Sequence, residues 1–284
     1  MKLRREFSIV LVVLSCLFAF TYYEPGPIRK LMDWRAARNS QAEHEIILSD
    51  YQVYDRTNGA EPSITVDFLK GKHFWNPQLA IWIEDSTGNY LETLLVTTST
   101  ARGLFYSGRS ASNFKESDEA KVEETTPKRR VDALPYWSHK RNHLYGDGFY
   151  SPPPNEPLPD AITGATPKDN FYFKSGNSPI KDLKSFRLLV EVNVAFDENE
   201  YYSEYDFLDD TLYHGGTGLL GQPSLIYGTT ICKQDHNRYY LLAPLGHSHH
   251  SGASGELIRD LSTITTAKHV VERIVVGVNE SWYK

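Results

Sequence analysis

The segment FRLLVEVNVAF, residues 186–196, limits the fold more than any other feature of the chain. Its apolar residues Leu188, Val190, Val192 and Val194 recur with a period of two, which is typical of a strand with one face in a core. Residues 78–83 and 90–97 are also apolar, and they flank the polar turn DSTGN at 85–89. This pattern predicts a β-hairpin. The chain is therefore expected to consist mainly of sheet.

Further β-branched and aromatic runs predict additional strands at 44–48, 63–68, 171–173, 225–232, 238–243 and 274–278. The strands 225–232 and 238–243 are expected to form a second hairpin, and only residues 265–272 are predicted to be helical. Short strands separated by Gly and Pro turns predict an all-β fold, an Ig-like β-sandwich with long loops over residues 43–284. The densely charged run 113–130 predicts an exposed loop, and the Pro-rich run 151–159 predicts an extended segment.

An apolar run at residues 7–23 follows the basic residues Lys2, Arg4 and Arg5. Residues 1–23 are therefore predicted to be an N-terminal signal or transmembrane helix, and an uncleaved anchor is favoured because no small-x-small cleavage site follows. Residues 24–42 are then a juxtamembrane linker, either a basic helix on the lipid surface or a solvated spacer. This organisation predicts a single-pass protein of the cell membrane with its body in the periplasm or extracytoplasmic space.

The charge balance excludes one large class of partners. The net charge is −6 and the isoelectric point is near 5.9, which argues against a nucleic-acid partner because phosphate binding requires clustered Lys and Arg. The cysteines, Cys16 in the apolar run and Cys232 far from it, predict no internal disulfide. Hydrolase chemistry finds no support, since Gly-x-Ser-x-Gly and HExxH motifs are absent from the sequence.

The stretch PDAITGATPKDNFYF, residues 159–173, contains a motif of functional type. It reads Asp160, two spacers, then Thr163, Gly164, Ala165 and Thr166. The bland interpretation is a tight turn, in which the side chains of Asp160 and Thr163 bond to the nearby backbone and Gly164 supplies a positive φ. The functional interpretation is an attachment point, because small residues beside a threonine hydroxyl leave room for an enzyme and a phosphate to approach.

The Asp-x-x-Thr-Gly-Ala-Thr motif resembles the flavinylation sequence of the FMN-binding domains of membrane-anchored bacterial electron-transfer proteins. The resemblance implies that a flavin transferase joins FMN, through its phosphate, to the hydroxyl of Thr166. It also implies that Asp160, Thr163, Gly164 and Ala165 are cofactor-site residues.

A second resemblance extends over residues 43–278. It rests on the hairpin PQLAIWIEDSTGNYLETLLV at 77–96, LPYW at 134–137, DAITGATP at 160–167 and FRLLVEVNVAF. These segments are similar to a family of uncharacterised bacterial periplasmic proteins, whose sandwich resembles the Ig-like domain of flagellar hook-capping proteins. The resemblance implies a redox setting, with a flavin transferase and a PepSY-type membrane reductase as partners.

Three histidines lie close together in LGHSHHSG, residues 245–252. His247, His249 and His250 are candidate metal ligands, since neutral imidazole binds zinc, copper or nickel. No carboxylate or cysteine stands at a diagnostic spacing from them, and a solvated polar loop is the alternative interpretation. His139 and His143, beside Trp137, are weaker candidates of the same kind.

Together these features predict a membrane-anchored extracytoplasmic protein of a bacterial flavin-linked electron-transfer system. It would either carry FMN on Thr166 or serve as an accessory to a flavinylated partner, and it would be an electron carrier or accessory module rather than a catalyst. The alternative is a non-catalytic binding or structural β-sandwich module of the cell envelope, with a metal ion held by the histidine loop.

Overall fold

The computed structural model describes residues 51–105, 129–176, 179–214, 221–235 and 239–283. The predicted anchor and linker, the predicted strand 44–48 and residues 113–128 of the charged loop lie outside these ranges. Among the described residues, no helix has both the length and the apolar character needed to cross a membrane.

Short strands make up most of the described chain. These strands are β1 (Gln52–Arg56), β2 (Ser63–Lys70), β3 (Gln78–Asp85), β4 (Tyr90–Thr97), β5 (Thr163–Gly164), β6 (Phe171–Gly176), β7 (Ser185–Asn193), β8 (Leu225–Cys232), β9 (Tyr239–Leu241), β10 (Ala243–His247) and β11 (Val271–Val278). Two short α-helices accompany them, α1 (Thr98–Arg102) and α2 (Pro135–Lys140), together with 3₁₀ turns at Asp160–Ile162, Lys233–Asp235, Thr266–His269 and Glu280–Tyr283.

The strands form two packed sheets, so the fold is a β-sandwich. One sheet has the order β1-β6-β2-β11-β9, and the other has the order β10-β8-β7-β3-β4-β5. An apolar core fills the space between them, because alternate residues of each strand point inward. Both sheets contribute fully buried side chains to this core, among them Ile64, Phe68, Phe171, Ile81, Leu188 and Val190.

The outer face of the six-stranded sheet is also covered. Helix α2 and the segment before it bring Leu134, Tyr136 and Trp137 onto Trp82 of β3 and Leu189 of β7, which form a second apolar cluster. Strand β7 is therefore buried on both faces. The outer face consequently holds polar side chains that water cannot reach, and each of them needs a partner inside the protein.

Glu191 is one of these buried polar groups, and it caps helix α2. Leu134 at the N-cap provides no side-chain hydrogen bond. Instead the Glu191 carboxylate accepts hydrogen bonds from the backbone N–H groups of Tyr136 at 3.2 Å and Trp137 at 2.6 Å, and from the Ser224 hydroxyl. Burial raises the pKa of Glu191 to about 7, although these hydrogen bonds act in the opposite direction.

Several predicted elements agree with the structure. The hairpin of β3 and β4 is confirmed as an antiparallel pair, with Gly88 at φ 91° in its turn. The predicted strand 225–232 coincides with β8, and the strand 186–196 corresponds to β7, which ends at Asn193. The predicted helix 265–272 is instead a 3₁₀ turn followed directly by β11, so its last two residues are extended.

The second predicted hairpin is wrong. Strand β8 pairs with β10, whereas β9 crosses to the other sheet and pairs with β11. Alternation along residues 239–241 predicts a strand but carries no information about its partner. Pro244 lies in β10, which is an edge strand, and there its missing N–H removes no interior hydrogen bond.

The last two residues of the charged run 113–130 are not exposed, in contrast to the prediction. Arg130, expected to be exposed, is only 5 % exposed in the structure. Arg129 is partly buried, and its guanidinium bonds to Ser151 and Asp147. The end of the loop is therefore held against the Pro-rich segment.

Candidate metal centre

Asp210, His249 and His250 form a cluster of the type that binds divalent metals. One ligand atom of each residue lies within 4.8 Å of those of the other two, and all three residues are partly buried. Asp210 belongs to the connection between β7 and β8, and the histidine pair follows β10. Imidazole nitrogens with one carboxylate suit zinc, copper or nickel. The fold thus supplies the carboxylate ligand that local sequence spacing did not indicate.

The Asp210 carboxylate is oriented by its own loop. Its Oδ1 accepts hydrogen bonds from the backbone N–H groups of Leu212 at 2.9 Å and Tyr213 at 3.1 Å. Its Oδ2 lies 3.0 Å from Nε2 of His250. Partial burial acts to raise the pKa of Asp210, but hydrogen bonds from Ser251, from the two backbone groups and from His250 outweigh it, so the pKa is lowered. Asp210 is therefore ionised at neutral pH, as a metal ligand must be.

His250 is fixed between two rings. The ring of Phe207 stacks on it with centroids 3.7 Å apart, and the ring of His249 lies 4.2 Å away. Desolvation, and then the neighbouring His249, lower the pKa of His250, so its imidazole is neutral at neutral pH. Its Nε2–H donates to Asp210. A metal ion bound at this nitrogen would displace that proton.

The backbone before His249 is anchored to the buried face of the six-stranded sheet. The Ser248 N–H donates to the carbonyl oxygen of Ser224 at 2.9 Å, and the hydroxyls of the two serines lie 2.7 Å apart. The Ser224 hydroxyl in turn donates to Glu191. Beyond His249, the Ser251 N–H approaches its Nδ1 at 3.3 Å. The position of His249 thus depends on a chain of contacts that leads to the cap of α2.

Phe207 adopts a backbone conformation that is unusual for its type. Its φ is 52°, in the left-handed region, which is disfavoured for a bulky side chain. Strained residues of this kind concentrate at functional sites. Phe207 also lines a groove of about 600 Å³ whose wall includes all three residues of the cluster. A metal ion held there would be accessible from this groove.

The structure separates His247 from the other two histidines. His247 is 3 % exposed, and its Nδ1–H donates to the Ser248 carbonyl oxygen at 2.7 Å. It lies at the end of β10 and is not part of the cluster. His139 is also tied to backbone, because its Nδ1–H donates to the Pro135 carbonyl oxygen at 2.8 Å.

The Asp-x-x-Thr-Gly-Ala-Thr motif lies at the edge of the six-stranded sheet. The Asp160 carboxylate forms an exposed ion pair with Arg102 at 2.9 Å, and the Thr163 hydroxyl donates to the Asp160 carbonyl oxygen at 3.3 Å. Thr163 and Gly164 form β5, which runs parallel to the end of β4. Arg56 donates to the carbonyl oxygens of Ala161 and Thr163. The first part of the motif is therefore held in place by contacts with several elements.

Gly164 has a different role from the one the turn interpretation assigned to it. It does not adopt a positive φ. A Cβ added at this position would instead lie 2.8 Å from Cδ1 of Leu95 and 3.5 Å from Arg56. Any larger residue would have to displace the Leu95 side chain, so glycine suits the close approach of the chain to β4.

Ala165 and Thr166 follow the anchored part of the motif. Ala165 is exposed and Thr166 is half-buried. Within the described part of the chain, the Thr166 hydroxyl has no hydrogen-bond partner. Thr166 does not line the groove at the histidine cluster. The motif and the histidine cluster therefore do not share a groove.

Asp210 and Phe207 were not identified from the sequence. The signal in their neighbourhood was the acidic run DENEYYSEYDFLDD at 197–210, a composition that is equally typical of a solvated loop. Only the fold shows that this loop meets the histidine pair.

The fold and the cluster define a β-sandwich with a candidate three-ligand metal centre. No protein-family model, no curated protein and no solved structure matches this chain.

Proposed function

We propose that this protein is a metal-binding β-sandwich module of the cell envelope, which holds a divalent transition metal through Asp210, His249 and His250. The convergence of these three ligands from two distant parts of the chain is the observation that carries the proposal. Three protein ligands leave at least one coordination position open, and the groove at the cluster gives access to it. The module would therefore bind a further ligand through the metal.

The location and finer fold type belong to the same proposal. The apolar run at residues 7–23 supports an N-terminal anchor and an extracytoplasmic body. The finer fold type that we propose is an Ig-like sandwich, and the two-sheet architecture is the observation behind it.

Metal titration of the full-length protein tests the proposal. After removal of metal with a chelator, we expect one equivalent of Zn²⁺ or Co²⁺ to bind per chain. Because each ligand contributes directly, His249→Ala and Asp210→Asn are each expected to weaken binding about 100-fold or more. Competition with a chromophoric chelator measures the affinity.

Two matched variants serve as controls for this titration. His143 is exposed and distant in the sequence from the cluster, so His143→Ala should leave the affinity unchanged. His247→Gln should also retain one equivalent, because His247 is bonded elsewhere. Absence of stoichiometric metal in the wild-type protein, or an equal loss in His143→Ala, would overturn the proposal.

A second candidate function is covalent flavin carriage at Thr166. It is favoured by a specific observation, the free hydroxyl of Thr166 directly after an anchored motif. In this function the chain would carry FMN as a phosphoester and exchange electrons with a PepSY-type membrane reductase. As an accessory, it would instead contact a flavinylated partner of such a system.

Co-expression with a flavin transferase tests flavin carriage. The intact mass is expected to increase by one FMN-derived group, because one hydroxyl is available in the motif. Thr166→Ala should abolish the increase, whereas Thr87→Ala, in the exposed hairpin turn, should not. An unmodified wild-type chain, alongside a flavinylated positive-control protein, would eliminate the carrier function.

A further inference from the structure

The groove at the metal centre is wide and open to solvent, with room for a small molecule. Its volume is about 600 Å³, within the range of about 300–1,000 Å³ usual for ligand pockets. It is lined by residues 207–212 on one side and by His249, His250 and Ala253 on the other. The metal ligands therefore form part of its wall, and a molecule bound to the metal would also contact the residues beside them.

The chain segments that form this groove contain neither lysine nor arginine. Neither residues 188–232 nor residues 239–258 contain a lysine or arginine. Of the acidic residues in the 197–210 run, Asp209 and Asp210 line the groove. A surface that carries charges of one sign attracts ions of opposite charge and repels ions of the same charge. The carboxylate that is not a metal ligand, Asp209, therefore favours a positively charged group on a bound molecule over a negatively charged one.

Asp209 is the lining carboxylate that remains available to a ligand. Asp210 is engaged with His250, whereas Asp209 is exposed and has no hydrogen bond or ion pair within the described residues. Beside it, the side chains of Phe207 and Leu208 are 37 % and 73 % exposed. One face of the Phe207 ring is covered by His250, so Asp209 is the group here that suits a cationic ligand.

We infer that the groove selects a ligand that binds the metal through one group and carries a positively charged group that pairs with Asp209. The inference rests on the proposed metal centre, and it adds the ligand class and assigns Asp209 as the specificity-determining residue. The apolar side chains of Phe207 and Leu208 would contact the body of the ligand between its two ends.

Three imidazoles with the same donor and different charge test this selectivity. Their two-carbon side arms end in a trimethylammonium group, a methyl group or a carboxylate. They are titrated into the Co²⁺-loaded full-length protein, and the visible absorption bands of the metal report binding. At low ionic strength we expect the cationic compound to bind about tenfold more tightly than the anionic one, with the neutral compound between them.

Asp209→Asn should reduce this preference to about twofold when the variant is compared at saturating Co²⁺, so that any change in metal affinity does not enter. Asp182→Asn, an exposed aspartate outside the groove, should leave the preference intact. If Co²⁺ does not bind, the metal centre itself is refuted. If Co²⁺ binds but the three imidazoles bind equally, or the anionic one binds best, only the selectivity inference is overturned.

Discussion

Glu191→Ala is expected to lower the free energy of unfolding by about 4 kcal/mol, because two buried backbone donors lose their acceptor. The N–H groups of Tyr136 and Trp137 at the start of α2 bond to this carboxylate, and Glu191 itself is 0 % exposed. Urea denaturation of the wild type and the variant measures the loss. Glu256→Ala, at an exposed position, should change the stability by less than about 0.5 kcal/mol.

The pH dependence of stability gives an independent readout of the same group. Because burial raises the pKa of Glu191 to about 7, the folded chain retains a proton that the unfolded chain releases near its ordinary value. The free energy of unfolding should therefore fall as the pH rises from about 4.3 to about 7, by about 4 kcal/mol from this group, and then level off. Glu191→Gln keeps an acceptor oxygen and removes this contribution.

The difference between wild type and Glu191→Gln is the quantity to measure. Asp197, whose pKa burial also raises to about 7, acts in the same direction, whereas the lowered pKa values of His139, His247 and His250 act in the opposite direction at mildly acidic pH. These groups are present in both proteins and cancel in the difference. If the free energy of unfolding changes with pH in the same way in both proteins between about pH 5 and pH 8, the raised pKa of Glu191 is contradicted.

The strands could be predicted from the sequence because their signal is local. Strand β7 shows its period of two directly, and the turn between β3 and β4 contains the glycine that its conformation requires. Partner choice is not local, which is why the hairpin of β8 with β9 was predicted wrongly. The burial of β7 on both faces was also not apparent, because it depends on α2 packing against Leu189 and its neighbours.

In the candidate site, too, local features could be predicted from the sequence but contacts between distant segments could not. The histidine pair is visible in the sequence, but Asp210 joins it only because the β7–β8 connection folds back onto the segment after β10. His247 has the same local context as His249, yet its place at the end of β10 directs it into the protein. Likewise, Gly164 is explained by its close approach to Leu95 and not by the turn chemistry of its own motif.

The second large loss of stability is expected when the buried carboxylate of Glu84 loses its ion-pair partner Arg187. Glu84 lies on the same outer face of the sheet as Glu191. Its side chain is 0 % exposed, and its carboxylate is paired with Arg187 at 2.8 Å and Lys140 at 3.5 Å and accepts a hydrogen bond from the Trp82 indole at 3.1 Å. Arg187→Met is expected to cost about 3 kcal/mol of stability, since it leaves a buried carboxylate with only the more distant cation.

A double-mutant cycle separates this effect from lost packing. Glu84→Gln in the Arg187→Met background removes the uncompensated charge, so it should restore about 2 kcal/mol of the loss. The ion pair of Arg273 with Asp67 is the matched comparison: it spans 3.8 Å, its side chains are 50 % and 35 % exposed, and Arg273→Met should cost less than about 1 kcal/mol. Additive effects of the Glu84 and Arg187 substitutions would show that the charge pairing does not stabilise the helix-covered face. Strong coupling would show that the Glu84–Arg187 pair stabilises the face of the sheet on which α2 packs.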